Sequence, residues 1–503
     1  MAVFALIALL IVALLFYNYY WKRKDLPPGP APIPLLGNAL ALQTNKHWPG
    51  LFLKWSQEYG KMFTYWLSEM PIVAVTDTKL INQMFIKEGD IFVDRFELGT
   101  LNDDCRGGQY GLIFAKWDLA RDHRRFGLKV FRDFGVGKNK MQENILAEIQ
   151  NFFEKIDNEA LGKEEFDLFP LTDMAVGSII NSLLFGYRFT ENGKEQEFIR
   201  MKAQLHTYVN SFLHPLIRLW AGFGPAKYLP FCRAPCQALV QTHKEIFADM
   251  DKHIIEHKQF LHQQDDNFEP RDYVDAYLME KKRLEASGES STLFSDIQLK
   301  NITFDFWLAG QETSSTTISW GIAFMIHHPE HQDKAYEELQ RVLGSDRLIT
   351  TADKHDLPYM NALIMEIQRR ANLISENIFR VANRDCHFGG YTIRKGQICL
   401  AQLSAVLEDP DYFERPQEFR PERFLDSNGQ VQKCDELIPF GVGKRSCVGE
   451  ALARMELFLI IANLLNRYKF LPAKELPILE KWPTGMATLL RPYKCKIVER
   501  KHL

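Results

Sequence analysis

The 503-residue sequence predicts a mainly α-helical protein with small β-sheets, an α+β fold, built as one globular domain behind a single N-terminal transmembrane helix. Three observations predict it. Several long segments carry apolar residues at helical spacing, one short stretch near residue 70 has strand composition, and the first twenty residues are almost wholly apolar. Hydrophobic residues make up 46% of the chain, including 36 Phe, enough to bury a large core. Length alone suggests about three domains. No linker supports that division, so the boundaries fall at 1–21 for the anchor, 22–38 for a basic, proline-rich hinge and 39–503 for the globular domain. A net charge of -3 and a pI of ≈ 6.6 give no basic footprint, and no nucleic-acid partner is expected. The cysteines at 105, 232, 236, 386, 399, 434, 447 and 495 show no paired framework and read as reduced and cytosol-facing.

Ala2 to Tyr20 has about the length needed to span a bilayer as a helix, followed by an aromatic belt (Tyr17, Tyr19, Tyr20, Trp21) and by Lys22, Arg23 and Lys24. Cations that follow the apolar run stay cytosolic, which points to a retained anchor with the body in the cytosol rather than a cleaved signal. Leu26-Pro27-Pro28-Gly29-Pro30, with Pro32 and Pro34, forms a stiff extended connector. Trp48 to Tyr59 reads as an amphipathic helix and Met62 to Thr76 as a hairpin around Glu69-Met70-Pro71. Helices follow at Asp118 to Phe131, Lys140 to Asn158, Asp173 to Phe185, Lys194 to Phe212 and Ala234 to His262, then a surface loop at Ser287 to Ser291.

Ser295 to His328 is a long apolar helix whose centre reads Ala309-Gly310-Gln311-Glu312-Thr313-Ser314-Ser315-Thr316-Thr317. Glycine and a Ser/Thr run are poor helix formers, so a local widening is expected there, with Glu312 and Thr313 facing a cavity. A polar kink with satisfied side chains is the alternative. On a helix from about Tyr359, Glu366 and Arg369 share a face with apolar neighbours, which suggests a partly buried pair with Arg423 of Pro421-Glu422-Arg423-Phe424 as third member.

Phe440 to Ala453 carries the densest pattern. Cys447 stands just before a run of strong helix formers from Glu450, where the positive end of the helix dipole and free N–H groups favour a thiolate ligand. Gly441 and Gly443 allow a tight turn and close approach to a flat group. Gly449 leaves the first helical turn bare, Arg445 can reach an anion beside the group, and Phe440 can shield the sulfur. A lone cysteine in such a turn is most often a buried structural residue; five fixed positions in Phe-x-x-Gly-x-Arg-x-Cys-x-Gly weigh the other way.

That loop resembles the haem-binding loop of the cytochromes P450. The Ala309–Thr313 centre, the Glu366-x-x-Arg369 helix, the Pro421–Phe424 segment and the Pro-Pro-Gly-Pro hinge resemble further motifs of that family, in family order along the whole chain. The likeness is to microsomal, family-2-like animal members, with an invertebrate, nematode-like flavour. It implies the P450 fold and haem b with Cys447 as axial iron ligand. Phe440, Gly441, Gly443, Gly449 and Ala309 would lie against the haem, and Arg445, Arg380 and Arg124 would hold its propionates. Thr313 and Glu312 would serve oxygen activation and proton delivery, with Glu366, Arg369 and Arg423 as a structural triad. It further implies an endoplasmic-reticulum monooxygenase acting on a small apolar substrate such as a fatty acid, steroid or xenobiotic. NADPH-cytochrome P450 reductase, with cytochrome b5 as a further partner, would supply electrons at a basic face of Lys129, Arg132, Lys433 and Lys444. Substrate contacts are expected from Gly99 to Phe114, Leu205 to Phe223, Phe304 to Ala309, Ile374 to Phe379 and Thr484 to Leu489.

Two positions depart from the family pattern. Ala120 stands where a tryptophan is expected ahead of Arg124-Arg125-Phe126, so either Arg124 meets a propionate alone or Arg121, one turn after Trp117, replaces it. Ser375 stands where proline is expected. The other functional readings are a haem-thiolate isomerase needing no reductase and a non-catalytic haem-binding or sensor protein. His253-Ile-Ile-Glu256-His257 and His327-His-Pro-Glu330-His331 spell a zinc-hydrolase pattern. Pro329 breaks the shared face of the second, and the first reads as a solvated charged face.

Overall fold

A computed structural model describes residues 1–45, 47–137, 139–191, 193–264, 268–288, 293–344, 347–483 and 488–500. Glu289 to Ser291 of the expected loop and residues 484–487 of the expected substrate segment lie outside them. Helix α1 (Ala2–Tyr19) is exposed from Val3 to Tyr17, with Asn18 buried against the Pro32 carbonyl, and is the one candidate membrane span among the described residues, judged by length and composition. The proline hinge lies against the first hairpin rather than standing free. Thr64 N–H donates to the Pro28 carbonyl (2.9 Å), Lys22 pairs with Glu69 (2.7 Å), and a Cβ at Gly29 would fall 1.9 Å from the Thr64 oxygen.

Helix α2 (Trp48–Tyr59) precedes strands β1 (Met62–Leu67) and β2 (Met70–Val75), paired antiparallel with Met62 opposite Val75. Their sheet is completed by β3 (Asp94–Arg95), β4 (Arg380–Val381) and β5 (Ile398–Ala401) in the order β1-β2-β5-β4-β3. Pairing of Arg95 with Arg380 brings residues nearly three hundred positions apart side by side, a register no local pattern encodes.

The helical body comprises α3 (Thr100–Arg106), α4 (Trp117–Asp133), α5 (Asn139–Glu159), α6 (Phe169–Phe185), α7 (Glu195–Ser211), α8 (Pro230–Leu261), α9 (Tyr273–Ala286), α10 (Asp296–His327), α11 (Pro329–Leu343), α12 (Pro358–Ala371) and α13 (Glu450–Arg467). Ser295 caps α10, its hydroxyl accepting from Gln298 N–H, and Pro329 opens α11, which ends the long helix at His327. Helix α10 packs on α6, α12 and α13 and is the axle of the core.

Glu366 and Arg369 are wholly buried, deeper than expected. The guanidinium donates two bonds of 2.8 Å to the carboxylate and others to the Leu407 and Glu418 carbonyls; Arg423 stands 3.2 Å from Glu366. Arg420 N–H adds a fourth bond to the same carboxylate (2.9 Å). Such a pair is destabilising to break from one side, because it leaves a buried charge without its partner.

His253 and His257 are buried, not solvated. The 257 ring faces two acceptors: Nδ1 lies 2.6 Å from the His253 carbonyl and Nε2 lies 2.9 Å from Asp272 Oδ2. With the ring charged, both nitrogens donate and neither keeps a lone pair for a metal. Burial opposes that charge, but the Asp272 hydrogen bond and carboxylate outweigh it and hold the His257 pKa above its usual value. The second motif is structural too: His327 meets the Pro477 carbonyl, and His331 meets Tyr359 and the Phe419 carbonyl. The zinc-hydrolase reading is dropped.

Glu366→Gln is expected to cost about 3–5 kcal/mol, measured as a fall in apparent melting temperature; an unchanged melt would mean the triad is dispensable. For His257, the stabilisation is complete below its unfolded pKa of about 6.5 and fades as pH rises through the higher folded value. His257→Gln should therefore lower the melting temperature more near pH 6 than near pH 9, whereas a constant gap would mean a neutral ring.

Candidate active site

The site is built where the cysteine loop meets β3, β4 and α4. The Cys447 N–H donates to the Phe440 carbonyl (2.8 Å), closing the loop two residues before Gly449, the N-cap of α13. Gly441 (φ 75) and Gly443 (φ 68) lie in the left-handed region. At Gly443 a Cβ would also fall 1.9 Å from the Phe85 oxygen, so both backbone and space demand glycine. A Cβ at Gly449 would sit 3.9 Å from Cys447 Sγ and partly cover the sulfur. The Phe440 ring lies beneath Arg454 at 4.8 Å.

Cys447 is exposed, yet protein crowds it enough that burial pushes its thiol above the ordinary value. The Gly449 N–H opposes this, Glu450 adds to it, and Arg124 opposes. The N–H at the helix start favours the thiolate as expected, burial outweighs it, and a coordinated cation is what removes such a proton.

Four arginines gather beside this loop: Arg95, Arg124, Arg380 and Arg445. Burial lowers each of them, and mutual repulsion adds to the effect on Arg95, Arg380 and Arg445, bringing the last two down to about 10. Asp94 offsets part of this at Arg445. Their donors are met mainly by carbonyls. Arg445 bonds those of Val93, Leu112 and Ala115 with Trp117 stacked at 5.1 Å, and Arg95 those of Ile113, Ile378 and Phe379. Arg380 bonds the Val442 carbonyl (2.7 Å), and Arg124 reaches the Ser446 hydroxyl (3.3 Å). Among the described residues none of the four forms an ion pair. Arg124 thus joins the cluster, while Arg121 pairs with Asp122 on the surface. Arg95 was missed by sequence reasoning, since its role depends on the β3–β4 register.

On α10, every residue from Gln298 to Ile326 is buried except Lys300, Ala309, Gly310, Glu312 and Thr313. The helix opens to space only at the singular stretch of its sequence. The expected widening is absent: α-helix runs unbroken, because the Thr313 hydroxyl bonds the Ala309 carbonyl (2.8 Å), and Ser315 and Thr317 bond back four residues likewise. Nor is Glu312 a free acid in the cavity. Its Oε1 lies 2.6 Å from Lys202 Nζ of α7, and that ammonium also donates to Asp173 of α6 (2.9 Å), which accepts from Gln311 (2.8 Å). Burial opposes the Lys202 charge, but Asp173 and Glu312 outweigh it and keep its pKa raised. Ser375 is buried and bonds Thr488 (2.6 Å), its carbonyl accepting from Gln402 and Ser404.

A soft sulfur ligand beside a knot of guanidinium groups lacking carboxylate partners is the donor set that suits an iron porphyrin with two carboxylate arms. The residues fit haem. A profile of the family Cytochrome P450 matches residues 27–497. The chain is 34% identical to cytochrome P450 2C23 of Rattus norvegicus over 95% of this chain and 94% of the relative. It is 31% identical to cytochrome P450 2A6 of Homo sapiens, covering 98% and 99%, and 32% identical to cytochrome P450 2M1 of Oncorhynchus mykiss, covering 98% and 96%. The chain belongs to the cytochrome P450 family, as a family-2-like haem monooxygenase.

Proposed function

We propose that this protein is a single-pass enzyme of the endoplasmic reticulum membrane that inserts one oxygen atom from O2 into a small apolar substrate. Electrons reach it from NADPH through a diflavin reductase, with cytochrome b5 as a second donor. The observation that carries the reading is the meeting of Cys447 with four arginines that have no carboxylate of their own. The apolar α1 and the proline hinge behind it support a domain division at 21 and 38.

In this reading Cys447 would supply the thiolate that holds the haem iron, and Arg124, Arg380, Arg445 and Arg95 would neutralise the propionates. When bound, haem supplies the reductive activation of O2, with the thiolate donating electron density that favours O–O cleavage. The chain's own work is to orient and to move protons. Thr313 Oγ1 now donates to the Ala309 carbonyl and must turn from it to donate into the cavity. Glu312 must release Lys202 before its carboxylate can pass a proton toward Thr313, and Asp173 is in place to keep the ammonium when it does. Of the basic residues proposed for the reductase, Lys444 is paired with Asp90 and Lys433 with Asp435, so Lys129 and Arg132 carry more of the attraction.

Two measurements test the reading. The reduced, carbon monoxide-bound protein should show the long-wavelength Soret band of thiolate-ligated haem, and Cys447→Ala should abolish it; a band surviving in the variant removes Cys447 as ligand. Thr313→Ala should keep the band yet lower product formed per NADPH by about 10²-fold, the scale of a lost proton-transfer group. Full coupling in that variant would undo the role given to Thr313, and product formed without reductase would favour an isomerase.

A further inference from the structure

A buried acid on α13, which the mechanism does not use, reaches the helix that carries Thr313. Glu456 is 3% exposed, set between the buried Met455 and Leu457, and its Oε2 accepts from the Ser314 hydroxyl of α10 at 2.6 Å. Of the hydroxyls at 313, 314, 315 and 317, only that of Ser314 leaves its own helix. Among the described residues this is the one hydrogen bond between α10 and α13. Further along the seam the contact is apolar: Ile461 of α13 and Ile367 of α12 close on Gly321, 3.7 Å and 3.2 Å from where a Cβ would stand. Apolar contact has no preferred direction, whereas a hydrogen bond fixes register.

The place of this bond gives it a role. Ser314 directly follows Thr313, and α13 begins at Glu450, three residues after Cys447. Along α13, Glu456 lies about 9 Å from that start at 1.5 Å per residue. Nothing charged meets the acid. Helix α13 packs against α5, α10, α11, α12, the turn Thr351–Asp356 and the strand Tyr468–Pro472. Their charges are spent elsewhere: Asp157 of α5 on Arg467, Glu338 of α11 on the N–H groups of Tyr359 and Met360, Glu366 of α12 on Arg369, and Lys354 of the turn on the Phe458 ring. Burial and the Ser314 bond are what act on Glu456, and burial wins, pushing its carboxyl up to about 8. The acid therefore keeps its proton at neutral pH. A carboxylate formed there would be a buried anion with no cation to pair it, and water drawn between the helices would relieve it.

We propose that Glu456, as a neutral acid, is a positioning residue: through Ser314 it holds α10 in register with α13 and so fixes Thr313 relative to the Cys447 loop. This rests on the monooxygenase reading above and adds a control on the same site. The register is kept while the acid is neutral and is lost as rising pH ionises it.

The test compares full-length, haem-loaded wild type in nanodiscs with Glu456→Gln, which keeps a neutral acceptor, and Glu456→Leu, which removes it. Product formed per NADPH with reductase should fall by about half in the wild type near pH 8, and stay level to about pH 9 in Glu456→Gln. Glu456→Leu should form about tenfold less product per NADPH at pH 7, the scale of one lost hydrogen bond, with KM within about twofold. Glu456→Gln should match the wild type at that pH. If Glu456→Leu fails to fold, Ser314→Ala removes the same bond from the other side. The melting temperature gives a second readout. The unfolded chain ionises this group from about pH 4.3 and the folded chain only at about 8, so the wild type should melt progressively below Glu456→Gln as pH rises between those values, with a constant gap above them. An alkaline fall shared by Glu456→Gln, or a melting gap that does not change with pH, would show that Glu456 is not the titrating group. Full coupling in Glu456→Leu or Ser314→Ala would overturn the positioning role. The reduced carbon monoxide band at pH 7 separates the two levels: its absence from the wild type fails the haem-thiolate reading, and the melting gap then decides alone whether the buried acid is neutral.

Discussion

Four buried guanidinium groups held together against their own repulsion organise the functional half of this molecule. Arg445 and Arg95 spend their donors on the carbonyls of Val93, Leu112, Ile113, Ala115, Ile378 and Phe379, residues outside the helices and strands. The arginines therefore fix the loops, and the loops keep the arginines close. Each guanidinium offers five donors in a rigid plane, so it can satisfy several carbonyls and still present its charge. The charge that remains suits an anionic cofactor edge. Cys447 beside it, with its proton raised by burial, suits a metal that removes that proton.

The core behind this site uses the opposite arrangement. At Glu366 the two arginines converge on one carboxylate, and every strong donor and acceptor is paired. One buried cluster is closed and the other left open, and the difference marks structure from site. The central helix repeats the contrast along its own length. Ser315 and Thr317 turn their hydroxyls back to the helix, while the residues at 309, 310, 312 and 313 interrupt an otherwise buried surface. The Lys202 contact ties Glu312 to α7, so any motion of that helix changes the surroundings of the acid proposed to move protons.

Much of the plan was legible in the chain. Helix spans were read closely because apolar spacing is local: Trp48 and Tyr59 are the observed ends of α2, and the span read from Ser295 to His328 is α10 with its two flanking residues. The loop around Cys447 was legible for a related reason. Glycines that no other residue can replace, and a ligand that needs a specific spacing, leave a dense mark in a few residues. What misled was local reasoning about polar groups. The hydroxyl run suggested a widened helix, yet its hydroxyls bond carbonyls of the same unbroken helix; the His-x-x-Glu-His stretch suggested a solvated face, yet both histidines are buried; and at Cys447 burial outweighs the helix N–H that favours the thiolate.

By itself the sequence determined the helical class, the apolar N-terminal helix, the order of the motifs and the cysteine loop, because each depends on residues within a few positions of one another. Only the tertiary structure decided that Arg124 rather than Arg121 joins the cluster, that Arg95 belongs with it, and that Glu312 is clamped by Lys202. Those facts depend on charge, desolvation and hydrogen-bond partners supplied by segments far apart in the chain, and such terms take their values only after the segments have packed.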